Sequence, residues 1–168
     1  MGSIQHLENQ EAIAKMKELA EDIQICMFCT NIRELPFEAR PMATQSVDEK
    51  GNIWFISAVE SNKNDDIKTN DQVQLLYAKP SDTKFLSIYG YAEISKDREK
   101  IDELWSPLAK AWFPEGKDDP RITVIRVMPE HAHYWDTQHG KMVTLFKIAV
   151  SAITGSQKDG GVEGILSI

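Results

Sequence analysis

Long apolar runs are missing from this chain: no stretch approaches the roughly 20 residues that a bilayer-spanning helix needs, so no membrane partner is expected. Basic character is missing as well. The 19 Lys and Arg stand against 26 Asp and Glu, a formal net charge of -7 with a pI of about 5.1, and no Lys/Arg-rich run offsets it. The counterion release that drives nucleic-acid affinity is therefore not available, and nucleic acid is not an expected partner. The N-terminus lacks the basic-then-apolar order of a signal peptide, so the chain is expected to stay in the cytoplasm. It opens Met1-Gly2-Ser3, but His6 stands where the myristoylation pattern wants Ser or Thr. No internal repeat, Ser/His/Asp order, nucleophile elbow or paired-carboxylate motif is present, which leaves a hydrolase reading without residues to carry it.

Cysteine is scarce. Cys26 and Cys29 form a C-x-x-C pair, but Ile23 to Thr30 reads as a strand rather than a helix start, and no further cysteine completes a zinc site. Both are expected to be small buried hydrophobes. What is present, 42% hydrophobic and 27% charged residues over 168 positions, is the composition of one globular domain large enough to bury a core.

Periodicity supplies the elements. Ile13, Met16, Leu19 and Ala20 lie at helical spacing within Glu8 to Asp22. Ala39 to Val47 and Asn52 to Val59 read as two strands joined through Asp48-Glu49-Lys50-Gly51, with Gly51 supplying the positive φ of a hairpin. Ser61 to Thr69 reads as a short helix. Gln72 to Ala78 and Lys84 to Ser95 read as strands, Gly90 marking a bulge or a close approach. Ile101, Leu104, Trp105, Leu108 and Trp112 share a helical stripe that Pro107 divides. Arg121 to Trp135 reads as a final strand interrupted near Pro129, and Lys141 to Ile153 as a helix ending at Gly155. The elements suggest a mainly β (α+β) fold, a small barrel of about six strands with peripheral helices, spanning 1–155, with a mobile tail over 156–168.

Chemistry concentrates where the strand Trp54-Phe55-Ile56-Ser57 runs into Ser61-Asn62-Lys63. Unpaired N–H groups at a helix start favour negative charge, and the Ser hydroxyls and Lys ammonium add donors. Alone, such a turn also fits ordinary helix capping. The strand that should pair with it begins Arg40-Pro41-Met42, so a hairpin register could bring the Arg40 guanidinium to the same turn. Glu60 adds a negative charge that would weaken an anion there unless it turns outward, and Asp65 and Asp66 lie in the first turns of the helix that follows. His131 and His133, two apart on a strand, would share a face, but no third metal ligand lies near them in sequence, and His139 fits a solvent-exposed turn.

Arg40-Pro41-Met42, Trp54-Phe55-Ile56-Ser57 with Ser61 and Lys63, and Gly90-Tyr91-Ala92 together resemble the FMN-binding split barrels of the pyridoxamine 5'-phosphate oxidase superfamily. The run Glu103 to Pro120, with its Trp112-Phe113-Pro114-x-Gly116-x-Asp118-Asp119-Pro120 core, and Tyr134-Trp135-Asp136 resemble the general stress protein 26 branch. The resemblance implies that the fold is a six-stranded antiparallel split β-barrel, that FMN is the cofactor and that Arg40, Ser61 and Lys63 hold its phosphate, with Ser57 nearer the ribityl chain. It implies that Arg40, Pro41, Met42, Ala43, Thr44 and Gln45 line the isoalloxazine and ribityl chain, and that Ile56 and Ser57 contact the flavin from the next strand. A homodimer with the flavin between subunits is also implied, which offers Trp105, Trp112 and Trp135 as contacts from the partner. Against that, Trp105 lies on the same apolar stripe as Ile101 and Leu108, which fits core packing. No Arg-x-His pair occurs near the C-terminus, which argues against vitamin B6 oxidation. Three readings remain open: an FMN-dependent oxidoreductase, a flavin carrier or sensor without turnover, and a flavin-free barrel binding another phosphorylated ligand or haem.

Overall fold

The computed structural model describes residues 3–4, 7–137 and 161–167. In chain order it forms β1 (Ser3–Ile4), β2 (Leu7–Glu8), α1 (Asn9–Ile23), β3 (Ile25–Thr30), β4 (Glu38–Ala43), β5 (Ser46–Val47), β6 (Ile53–Ala58) and α2 (Asn62–Thr69). There follow β7 (Gln72–Lys79), β8 (Lys84–Ser95), α3 (Arg98–Leu104), β9 (Ile122–Thr137) and β10 (Gly161–Ser167). Short 3-10 turns at Pro80–Asp82, Pro107–Ala111 and Gly116–Asp118 complete the connections. The predicted helix at Lys141 to Ile153, and His139, lie outside the described residues. Among the described residues no helix is long and apolar enough to cross a membrane.

Six antiparallel strands, β3, β4, β6, β7, β8 and β9, make the split barrel that the sequence predicts, and β1, β2, β5 and β10 extend it into an open mixed sheet. β9 divides the barrel. One of its edges pairs with β8 over most of its length, while the other pairs first with β6 and then with β10. The apolar spacing of α1 explains its seat: Ala12, Met16, Leu19 and Ala20 are fully buried and share one core with Phe28, Phe55, Leu75 and Ile88. Each of the larger side chains among these, from Met16 and Leu19 to Phe28 and Phe55, contributes about 1.5–3 kcal/mol on burial. Phe28 and Phe55 meet edge to face at 5.2 Å, joining the two sides of the barrel.

The interruption predicted near Pro129 is a bulge. β8 and β9 shift register between Tyr89 and Gly90, so that Tyr89 faces His131, Gly90 faces Pro129 and Glu130 is the extra residue. Proline brings no N–H to this ladder, and Gly90 lets the backbones close: a Cβ there would lie 2.2 Å from the Met128 carbonyl oxygen.

Two strand assignments require correction. The single strand predicted from Ala39 to Val47 is two strands with different partners. β4 pairs with β3, after which the Thr44 N–H donates to the Gln24 carbonyl at 2.8 Å and the Gln45 N–H to the Trp54 carbonyl at 2.9 Å. The chain thereby changes neighbours, and only Ser46 and Val47 form the hairpin with β6. Its turn is as read: Gly51 has φ 84°, and the Asp48 carboxylate accepts from Lys50, Asn52 and Trp54. The second correction concerns the predicted mobile tail over 156–168, because Gly161–Ser167 is the strand β10. The outer half of β9 offers an unpaired edge, and β10 fills it antiparallel from Gly161 opposite Thr137 to Leu166 opposite Ala132.

Candidate anion-binding site

The turn after β6 and the first residues of α2 place Ser57, Ser61 and Lys63 together. Ser57 is buried; its hydroxyl donates to Asn64 Oδ1 at 2.9 Å and lies 3.1 Å from Ser61 Oγ. Asn64 in turn donates to Thr123 Oγ1 at 3.0 Å, which ties α2 to β9. With the Ser57 proton directed to Asn64, Ser61 is the donor in the Ser57–Ser61 bond, and an anion at this turn would have to draw that proton to itself. Ser61 is the residue before the helix, yet its side chain bonds Ser57 and caps no amide. The first N–H groups of α2 are therefore not capped by Ser61, and Asp65, the acidic residue of the first turn, is paired with Lys68.

Arg40 joins this group by a different route from the one its sequence position suggests. It lies on β4, opposite Phe28 of β3, and not in the β5–β6 hairpin. Its Nη1 donates to Thr30 Oγ1 at 2.6 Å and to the Phe28 carbonyl at 3.4 Å, and its Nη2 lies 3.4 Å from Asp66 Oδ2 on α2. Asp66 also accepts from the Thr30 hydroxyl at 2.6 Å and from Asn31 Nδ2 at 2.9 Å. The end of β3, the middle of β4 and one face of α2 are thus laced by a single carboxylate.

Lys63 decides what the site can hold. It is half-buried and has no carboxylate partner among the described residues; burial, and after it the Arg40 charge, pull its pKa below the ordinary 10.5. A cation removed from water beside another cation is stabilised by the arrival of an anion. Glu60 does not fill that place. It is exposed, and its field falls on Arg121, whose pKa is raised chiefly by Asp119. Two cations and a helix start that no side chain caps suit a phosphate monoester.

The other predicted residues are spread around this centre. Pro41, Met42 and Ala43 continue β4, with Pro41 and Ala43 exposed and Met42 packed on the main core. Thr44 Oγ1 lies 2.7 Å from the Tyr77 hydroxyl, and Gln45 turns its amide to the Ala43 carbonyl. Ile56 and Trp105 pack against a smaller core of Ile101, Leu104, Phe113, Ile122 and Val124. Trp112 is 73% exposed, on the turn that follows Pro107–Ala111. Within the Trp112–Pro120 run, Phe113 is a core residue, Gly116 takes φ 83° and the buried Asp119 clamps Arg121. His133 stacks on Trp135 at 4.3 Å and His131 lies beside Tyr89 at 6.3 Å, so both histidines belong to aromatic pairs. Sequence reasoning missed Thr30, Asn31, Asp66 and Asn64. The available signal was a carboxylate one helical turn after Lys63, together with a short polar residue at the end of β3 and another just beyond it.

A family model described as pyridoxamine 5'-phosphate oxidase like matches residues 11–159. The chain belongs to this family. Within it the general stress protein 26 branch is the one shared. The Bacillus subtilis protein of that name is 28% identical over 81 residues, covering 46% of this chain and 57% of its own length. Protein bli-3 of Neurospora crassa is 29% identical over 126 residues, or 70% of this chain and 60% of the relative. The chain thus spans about 60% of the curated relatives it matches. Among solved structures, a candidate general stress protein 26 from Jannaschia sp. CCS1 superposes with a TM-score of 0.81 at 25% identity, covering 92% of this chain and 97% of that one. The general stress FMN/FAD binding protein from Xanthomonas citri superposes with a TM-score of 0.65 at 26% identity, covering 76% and 90%.

Proposed function

We propose that this chain is an FMN-binding oxidoreductase that works as a homodimer, with Arg40, Ser61 and Lys63 holding the FMN phosphate and Ser57 supporting them from behind. The observation that carries the reading is Lys63: a half-buried ammonium with no carboxylate partner among the described residues, set beside Arg40 at an uncapped helix start. The relative from Xanthomonas citri described as FMN/FAD binding supports flavin as the ligand. FMN would supply a ring that accepts and returns two electrons, so the protein's part is to bind and orient. Arg40 and Lys63 neutralise the phosphate, and Ser61 donates to it. The residues from Pro41 to Gln45, with Ile56, line the path toward the ring.

A homodimer is supported by the outer face of the sheet. Ile25 and Met27 of β3, Leu76 of β7, Trp135 of β9 and Ile165 of β10 are all exposed there. Met27 faces Leu76 and Pro41 across neighbouring strands, and His133 faces Ile165, so the apolar surface runs along the sheet. Trp112 stands free to meet a partner's flavin.

The purified protein is expected to be yellow, with the visible bands of oxidised flavin, or to become so on addition of FMN. Lys63→Glu should lower FMN affinity more than about 100-fold, since one cation is lost and an anion gained, with the far-UV circular dichroism unchanged. Unaltered flavin content in that variant would refute the phosphate assignment. Steady oxidation of a reduced nicotinamide under air is the expected sign of turnover; retention of flavin without it would assign a carrier instead.

A further inference from the structure

Arg40 enters the phosphate reading as a cation, but its neighbours also fix its direction. A guanidinium has five N–H donors. Nη1 is taken up by Thr30 Oγ1 and the Phe28 carbonyl, and one side of Nη2 faces Asp66 Oδ2. Nε donates to no acceptor among the described residues, and the carboxylate of Glu38 stands at 3.8 Å from Nη2 on a side chain that is mostly in solvent. The side of the fork formed by Nε and Nη2 is therefore the one left for a ligand, and such a fork matches a phosphate in two-point contact.

Asp66 is the group that sets this orientation. Its Oδ2 receives the Thr30 hydroxyl at 2.6 Å and faces Arg40, while its Oδ1 receives Asn31 Nδ2 at 2.9 Å. Asn31 reaches it because the chain takes φ 53° there, a left-handed conformation that asparagine tolerates. Both carboxylate oxygens are thus covered by donors. Lys63, three residues earlier on the same helix, makes no ion pair with it, whereas Lys68 does pair with Asp65 on the exposed side. A carboxylate acting only as a competing anion would be expected to draw in both cations.

We propose that Asp66 is the positioning residue for phosphate binding: anchored by Thr30 and Asn31, it holds the Arg40 guanidinium with Nε and one Nη2 hydrogen turned to the ligand. This rests on the phosphate assignment made above for Arg40 and Lys63.

The test compares FMN with riboflavin, which lacks the phosphate, by quenching of flavin fluorescence, in the wild type, Asp66→Asn and Thr30→Val. The expected result is an FMN affinity about tenfold lower in both variants, the size of one well-aimed charged contact, with riboflavin affinity unchanged. In an Arg40→Gln background, Asp66→Asn should have no further effect on FMN. Equal loss for both flavins would make Asp66 merely structural; unchanged or tighter FMN binding would make it a bystander or a competitor. Each of these overturns the proposal. Thr30→Val keeps the question open to experiment should Asp66→Asn fail to fold. A wild type that takes up neither flavin sinks the proposed function, and inorganic phosphate then decides for Asp66. A phosphate-induced rise in melting temperature seen in the wild type and absent in Asp66→Asn supports positioning, while no rise in the wild type, or an equal rise in both, overturns it.

Discussion

Two lysines that are each partly withdrawn from water divide the molecule into a part that holds itself together and a part that waits for something. Lys15 of α1 is 20% exposed and meets Asp136 of β9, 9% exposed, at 2.5 Å. Burial alone would lower its pKa, but the hydrogen bonds and charges of Asp136 and Glu18 together outweigh that, and the pKa is raised. Lys63 of α2 is withdrawn in the same way, meets a cation in place of an anion, and its pKa is lowered. A half-buried charge answered within the chain is a fastening; one left unanswered is a receptor.

Exchanging the charge at each position breaks this contrast most directly. Lys63→Met should lower FMN affinity about 100-fold while leaving thermal stability unchanged or slightly higher, because an uncompensated buried cation is removed. Equal flavin binding in that variant would place Lys63 outside the site. Lys15→Met should do the reverse, costing about 2 kcal/mol of stability in a denaturant titration, since the Asp136 carboxylate keeps its burial and loses this lysine, with FMN binding untouched. A smaller effect, but a sharper one, lies in the alkaline pH dependence. For Lys63 the folded chain gives up its proton first, so between its depressed value and 10.5 the unfolded chain binds more protons and stability rises with pH. For Lys15 the stabilisation is fully present below 10.5 and is lost as pH rises through the elevated folded value. The two contributions have opposite slopes. Subtracting each Lys→Met variant from the wild type isolates them, and carbon NMR titration of the two lysines should order Lys63 below Lys15. Addition of FMN should move Lys63 upward and flatten its slope.

Much of this arrangement could be read before any coordinates. Three of the four buried positions of α1 (Met16, Leu19 and Ala20, with Ala12 buried where the spacing predicts Ile13), the turn at Gly51, the bulge at Gly90 and the grouping of Ser61 with Lys63 follow from spacing and from the conformational demands of single residues. What escaped was set by partners distant in sequence. Nothing local in Ala39 to Val47 marks Thr44 and Gln45 as the place where the chain leaves β3 for β6, because the switch depends on the Gln24 and Trp54 carbonyls. Asp66 looks like any acidic residue of a short polar helix until β3 and β4 bring Thr30 and Arg40 to it. β10 was concealed by its glycines, which weaken a strand signal that the open edge of β9 makes good.

The two cysteines extend the contrast to kinetics. Both are reduced and buried in β3, the strand between β4 with its Arg40 and β7, and burial pushes the Cys26 thiol up to about 12. In the closed molecule neither sulfur is an accessible thiolate, so a thiol-specific dye can react only when this strand is released. The chain therefore carries its own clock for the opening of the half-barrel that presents Arg40. Run with and without ligand, that clock reports how firmly an occupied site holds β3 and β4 together.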